Sequence, residues 1–318
     1  MGQISRQDSA PALRAEGNEA ALGDGASSDA GVATDDALTP LSDFREKVRE
    51  QGSELYRDLP WRRTRDPYEI WISEVMLQQT QVSRVDGRWQ RWLARFPRVA
   101  DLAAADAADV LDEWQGLGYN RRALAVHRAA QVVLEAGGEF PRGERELRAL
   151  PGIGPATAAG IRAFAFDLHG VYLETNVRTV LLHELLPGRE DVPDRELAEL
   201  AEATCPPDDG FADDPADDPR SWYYAMLDYG AYLKRTVANP SRRSRAHAKQ
   251  SRFEGSRRQK RAALVRALLA RREGAGMGEL VAAVRAEGIE LDDALAAELM
   301  SELAAEGFCR ASDGLWLP

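Results

Sequence analysis

From Leu41 onward, apolar residues recur at helical spacing, beginning with Phe44, Val48 and Leu55. The stretch "LPWRRTRDPY" at 59–68 interrupts them and reads as a loop. A helix starts near Pro67 and carries "WISEVMLQQTQV", Trp71 to Val82. Further helices are expected over Arg84–Ala94, Ala107–Trp114, Ala123–Ala136, Glu144–Leu150, Ala156–Phe166, Val177–Leu186, Arg195–Thr204 and Ser221–Lys234. Breaks fall at Pro97, at Gly116-Leu117-Gly118, at Gly137-Gly138 and at Pro151. There is no βαβ alternation and no repeat of fixed period, so the pattern predicts a mostly α protein with short loops.

Beyond Asn239-Pro240 the pattern restarts. Helices are expected over Gln259–Ala270, Met277–Glu287 and Asp292–Glu306, then a hairpin turning at Asp313-Gly314. Three helices and a terminal hairpin resemble a winged helix, in which the third helix would contact DNA. That helix, "DDALAAELMSELAAEG", is acidic, so a structural or dimerising duty stands beside DNA contact. Residues 1–40 are rich in Ala, Gly, Ser and Asp without apolar periodicity and read as a disordered tail. The expected organisation is a tail (1–40), a helical domain (41–238), a basic linker (239–255) and a winged-helix-like domain (256–318).

Charge refines this plan. The net charge is −11, which argues against a polyanionic partner, but the charge is segregated. Cys205–Pro219 holds six Asp and no base; Lys234–Arg272 holds fourteen Lys or Arg against Glu254. A local basic block matters more for phosphate binding than the global sum, unless it is a solvated linker. No run of about 18 apolar residues exists and no signal-peptide pattern opens the chain, so no membrane partner is expected and the location is read as cytoplasmic, beside the nucleoid. Two cysteines, Cys205 and Cys309, cannot make a four-cysteine metal site and read as structural thiols. His127, His169, His183 and His247 show no metal-ligand spacing.

Three short stretches carry candidate chemistry. The first is the helix at 71–82, apolar apart from Glu74 and a row of glutamines, Gln78, Gln79 and Gln81. A carboxyl group in apolar surroundings has a raised pKa and can act as an acid near neutral pH. The second is "LPGIGPATAAG", Leu150–Gly160, in which Gly152 and Gly154 flank Ile153 between two helices. Glycines let the backbone approach a phosphate, and the following helix N-terminus offers free N–H groups. That is the plan of a helix–hairpin–helix, which grips DNA backbone without reading sequence, although an ordinary tight turn looks similar. The third is "VYLETNVRTVLL", where Glu174 precedes a helix and is either a capping acid or a functional carboxylate.

Taken together, "LPWR" at 59–62, "SEVMLQQTQV" at 73–82, "GLGY" at 116–119, "LPGIGPATAAG" at 150–160, "ETNVRTVL" at 174–181 and "LDYGA" at 227–231 make residues 41–233 resemble the helix–hairpin–helix (endonuclease III) superfamily of DNA glycosylases. Within it, "SEVMLQQTQ" is similar to the adenine DNA glycosylase branch. The resemblance implies a core of two helical subdomains, about 67–173 and the N-terminal helix joined to 174–234, with a cleft between them. It implies that Glu74 protonates an extruded adenine and handles the attacking water, while Glu174 stabilises the sugar cation, a two-carboxylate division of labour. Asn176 would support the active site. Gln79 and Tyr119 would wedge into the base stack, with Thr80 at the opposite base. Arg57, Leu59, Trp61 and Arg62 would form the rim of the adenine pocket and Asp228 its polar floor. Gly152, Gly154 and Thr157 would meet the DNA backbone.

The resemblance has four departures. The second carboxylate is usually Asp; here Glu174 adds a methylene, moving the charge by about 1.5 Å, an error that can cost about a hundredfold in rate unless the backbone retreats. The family's four-cysteine iron–sulfur loop, due after "LDYGA", is replaced by "YLKRTVANPSRRSRAHAKQS", so no cofactor is expected. There Lys234, Arg235, Arg242, Arg243 and Arg245 would supply charge to DNA directly. Ala156 occupies the position of the Schiff-base lysine of bifunctional relatives, and also of a family tyrosine or serine, implying a monofunctional enzyme. The region after 256 is too short and too helical for the usual Nudix-like domain that senses 8-oxoguanine. The expected activity is hydrolysis of adenine mispaired with 8-oxoguanine or guanine in duplex DNA, by a monomer. A thymine or uracil mismatch glycosylase, and a DNA-binding protein without catalysis, stand as alternatives.

Overall fold

The computed structural model describes residues 41–210, 217–247 and 252–318. The expected tail, 1–40, lies outside the described residues, as do parts of the acidic stretch and of the basic linker.

The first part of the chain is helical throughout: α1 (Leu41–Glu54), a 3-10 turn (Pro60–Arg62), α2 (Pro67–Leu77), α3 (Val82–Val85), α4 (Arg88–Arg95), α5 (Val99–Ala103), α6 (Ala107–Glu113), α7 (Arg121–Glu135), α8 (Glu144–Ala149), α9 (Pro155–Phe166), α10 (Thr175–Glu184), α11 (Asp194–Thr204) and α12 (Pro219–Thr236). Three local expectations change. The helix bearing Glu74 ends at Leu77, so the glutamines lie beyond it. The helix expected over 84–94 is two, α3 and α4, because Gly87 turns the chain at φ +76. The short α5 fills an expected break; it has five residues, too few for a periodic signal, and Leu102 anchors it in the core.

Two helical groups carry the site. In the first, α2 is central. Asp66 caps it by accepting from the N–H groups of Tyr68 (2.8 Å) and Glu69 (3.4 Å), with Pro67 at the first helical position. Tyr68, Ile70, Trp71, Ile72, Ser73, Val75 and Met76 are all buried, so α2 is surrounded and packs along α9. In the second group, α12 lies between α1 and α10. A methyl group at Gly52 would come within 2.2 Å of the Ala225 Cβ, and one at Gly230 within 2.3 Å of the Asn176 carbonyl oxygen, so α1 and α10 approach α12 at glycine contacts. The groups meet where α9 faces α12. There Phe164 stacks on Tyr224 at 4.5 Å, and Arg220 donates to the carbonyls of Arg62 (2.7 Å), Thr64 (2.8 Å) and Phe164. Arg220 is buried, and no sequence motif marks it.

The stretch expected as a basic linker is folded over its first half. A 3-10 turn (Pro240–Arg243) packs on α10, with Asn239 accepting from the Ser241 N–H at 3.1 Å. Arg243 donates to the carbonyls of Leu182, Leu186 and Arg189, closing the end of α10. Val192 and Ser244 pair as a bridge, and Arg245 binds Asp191 at 2.7 Å. The C-terminal region comprises α13 (Arg257–Leu269), α14 (Met277–Ala286), α15 (Asp293–Ala305) and an antiparallel hairpin, β1 (Arg310–Ser312) and β2 (Leu315–Leu317). Asp313 and Gly314 at its turn both have positive φ, as a two-residue type I′ turn requires.

Most of the basic block is engaged within the protein. Arg257 binds Glu298 and Glu302, Arg261 binds Glu302 and Glu306, Arg266 binds Glu287, and Arg272 binds Asp109 and Asp112. The acids of α15 therefore face arginines of α13. Arg272, with the Arg121–Glu306 pair at 2.5 Å, docks this region on α6 and α7.

Candidate active site

Glu74 is the fourth residue from the end of α2 and lies between the two helical groups. Its Oε2 accepts a hydrogen bond from the Tyr172 hydroxyl at 2.9 Å. Its side chain is half-buried by exposure, yet surrounded deeply enough that burial raises its pKa to about 8. The Tyr172 hydrogen bond opposes that rise, the nearby Glu174 charge adds to it, and Arg62 opposes it. At neutral pH the Glu74 carboxyl is mainly protonated and can donate.

Glu174 occupies the N-cap position of α10, with φ −97 and ψ 167, and no bond of the usual capping kind is formed. Burial raises its pKa too, against the Thr175 N–H and the Arg178 charge. Arg178 is itself fixed by Asp194 (2.7 Å) and the Leu173 carbonyl (2.8 Å), which holds the chain just before Glu174. Asn176, two residues on, accepts from the Lys234 ammonium at 3.3 Å. Glu174, at the start of α10, thus lies close enough to α2 for its charge to act on Glu74.

Behind them stands a buried ion cluster. Arg62 donates to both oxygens of Asp228, at 2.7 and 2.8 Å, and Arg57 donates to the same carboxylate at 2.5 Å. The Arg57 main-chain N–H adds a further bond at 3.1 Å. Arg62 also lies over the Tyr224 ring at 4.4 Å. The expected pocket rim is corrected here. Arg62 and Trp61 are only 6% and 4% exposed, Trp61 packing against Trp89, and Asp228 is saturated by two guanidinium groups instead of offering a free polar floor. Arg57 and Leu59 keep partial exposure.

The strand-facing candidates gather elsewhere. Gln79 and Tyr119 are exposed and hold φ +54 and φ +50, a backbone conformation that costs a non-glycine residue about 1–2 kcal/mol. One side chain links both loops. Arg122 donates to the carbonyls of Val75 (2.5 Å), Gln78 (2.8 Å), Leu117 (3.2 Å) and Gly118 (3.1 Å), to the Thr80 hydroxyl (3.4 Å), and lies 5.5 Å from the Tyr119 ring. Burial lowers its pKa to about 10, still charged at neutral pH. Sequence reasoning missed Arg122; the Arg121-Arg122 pair following "GLGYN" was the available signal. Gln78 reaches across to the Thr157 hydroxyl at 3.0 Å and ties α2 to α9. Thr157 is therefore turned inward and buried, correcting its assignment as a DNA contact. The hairpin turn itself is exposed at Gly152, φ +76, while a methyl group on Gly154 would meet nothing within 4 Å.

Among the described residues, no group of three or more His, Cys, Asp or Glu could hold a metal ion. Cys205 and Cys309 are buried and lie far apart in the sequence, and residues 234–253 contain no cysteine, so these donors do not fit a four-cysteine cluster.

Residues 72–212 match the sequence profile of the HhH-GPD superfamily base excision DNA repair protein. The chain is 42% identical over 156 residues to an adenine DNA glycosylase of Mycolicibacterium smegmatis, covering 48% of this chain and 53% of that protein. It is 38% identical over 154 residues to an adenine DNA glycosylase of Homo sapiens, covering 45% of this chain and 28% of that protein. The chain thus spans about half or less of the length of these relatives. A solved structure of a thermostable thymine-DNA glycosylase is similar in fold, with a TM-score of 0.50 and 24% identity over 60% of this chain and 87% of that one. In this chain Glu74 lies on α2, the hairpin glycines in the α8–α9 turn and Glu174 at the head of α10. In this chain no helix among the described residues is long and apolar enough to cross a membrane.

Proposed function

We propose that this protein is a monofunctional DNA glycosylase that hydrolyses the N-glycosidic bond of adenine mispaired with 8-oxoguanine or guanine in duplex DNA. The observation that carries the reading is the Glu74 carboxyl, hydrogen-bonded by the Tyr172 hydroxyl at 2.9 Å, with its pKa raised to about 8 by burial and by the nearby Glu174 charge. Glu74 donates its proton to the extruded adenine, which leaves as a neutral base. Glu174 offsets the positive charge that develops on the sugar. Glu74, then ionised, accepts a proton from the attacking water. Ala156 brings no amine to the hairpin, so no covalent Schiff base forms and the abasic strand stays intact.

Gln79 and Tyr119 occupy the extruded base's place in the stack, and Arg122 supports both. The hairpin at Gly152 and Gly154 meets a phosphate through its main chain, beside the N-terminus of α9. The protein acts as a monomer without an iron–sulfur cluster, and Arg243 fixes the stretch after α12. The test is single-turnover cleavage of duplexes holding A·8-oxoguanine, A·G, T·G or U·G. Adenine release that needs alkali for strand breakage supports the reading; release of thymine or uracil, or of nothing, refutes it.

A further inference from the structure

Among the described residues, the Tyr172 hydroxyl is the hydrogen-bond partner of Glu74, at 2.9 Å from Oε2. Tyr172 is buried in the segment between α9 and α10, and its position is fixed from every side. Its main-chain N–H donates to the Tyr223 hydroxyl at 3.1 Å, and Tyr223 in turn donates to the Gly170 carbonyl. Its ring packs edge-on against Phe164 at 5.2 Å and against Tyr223 at 5.3 Å. The room for the contact comes from α9. A methyl group at Gly160 would lie 2.5 Å from the Glu74 Oε2 and 2.9 Å from the Tyr172 Cε2, so only glycine there lets the phenol and the carboxyl meet.

A protonated carboxyl group has two different oxygens, one bearing hydrogen and one that only accepts. A fixed phenol donor decides which is which. We propose that Tyr172 is the positioning residue of the catalytic acid: its hydroxyl holds Oε2 of Glu74 as an acceptor, leaving Oε1 to carry the proton towards the substrate. Gly160 keeps the space in which this contact forms. The inference rests on the proposed glycosylase reading for its consequence, but the contact itself is a property of the free protein. Tyr172 stays protonated throughout the working range, because burial and the two neighbouring carboxylates push its pKa well above that of an ordinary tyrosine. Losing a hydrogen bond to the ionised form raises the pKa of the acid.

The experiment is a carboxyl NMR titration of the full chain labelled with 13C at its Glu carboxyl carbons, with Glu74→Gln identifying the Glu74 signal. In Tyr172→Phe, which keeps the ring packing, the Glu74 midpoint is expected to rise by about one pH unit. Gly160→Ala, breaking the same contact by crowding, should move it in the same direction. An unchanged midpoint in folded Tyr172→Phe overturns the proposal. Single-turnover adenine release on the same variants should fall about ten- to a hundredfold, with the alkaline limb of the pH–rate profile moving upward. A wild-type protein that releases no adenine would refute the proposed function, while the titration would still decide the role of Tyr172.

Discussion

A carboxyl group beside Tyr172 and the buried face of α2 is costly to ionise, and that cost should show in stability as well as in chemistry. Glu74 has a pKa of about 8 in the fold against 4.5 as its ordinary value, so the folded protein holds the proton more tightly than the unfolded chain. Its contribution is complete below about pH 4.5 and is lost as the pH rises through 8. Glu74→Gln should therefore match the wild type in chemical unfolding near pH 5 and exceed it by up to about 4 kcal/mol above pH 8. An equal difference at both pH values would contradict the raised pKa. Asp228→Ala should do the opposite, costing about 3–5 kcal/mol by leaving buried Arg62 unpaired; thermal unfolding reads this directly. Gln79→Gly should leave stability within about 1 kcal/mol, since relief of the positive φ offsets the added freedom of the unfolded chain, yet slow base release. Glu74 and Glu174 were legible as residues because an acid in an apolar helix and an acid before a helix break the local pattern. Asp228 was legible only as part of a motif, and its saturation by Arg57 and Arg62 depends on contacts 166 to 171 residues apart, which no local pattern encodes.

At the scale of elements, the site is a matter of where helices end. α2 stops at Leu77, just past Glu74, and the freed carbonyls of Val75 and Gln78 are taken up by Arg122 from the start of α7. One guanidinium thus satisfies the end of α2 and the turn at Leu117–Gly118 together. Arg122→Ala should lower stability by about 2–4 kcal/mol, measured by denaturant unfolding, and should weaken base release more than DNA binding. Arg122→Lys should rescue little, since an ammonium cannot reach both sets of carbonyls. Helix existence was legible from periodicity for every long element. The end of α2 was not, because Gln78–Gln81 are compatible with helix and only the tertiary pull of Arg122 and Thr157 ends it. The break at Gly87 and the five-residue α5 were equally hidden, being shorter than the repeat that would reveal them.

Across the whole molecule, charge is used twice. The strongly basic run 234–272 suggested a direct phosphate surface, but the structure engages most of it with the acids of α15, with Asp109, Asp112 and Asp191, and with the carbonyls at the end of α10. Sequence shows charge density and not its partners, so this engagement could not be read there. The same pairings dock the C-terminal helices on α6 and α7, near Tyr119, whose hydroxyl accepts from Arg258 at 3.2 Å. The central claim remains the acid at the junction of the two helical groups. Its most direct test is the pH dependence of single-turnover adenine release from an A·8-oxoguanine duplex, wild type beside Glu74→Gln. The account predicts release that needs alkali for strand breakage, falls as the pH rises through about 8, and is abolished in Glu74→Gln. Release that persists in Glu74→Gln, or is insensitive to pH across that range, would contradict it.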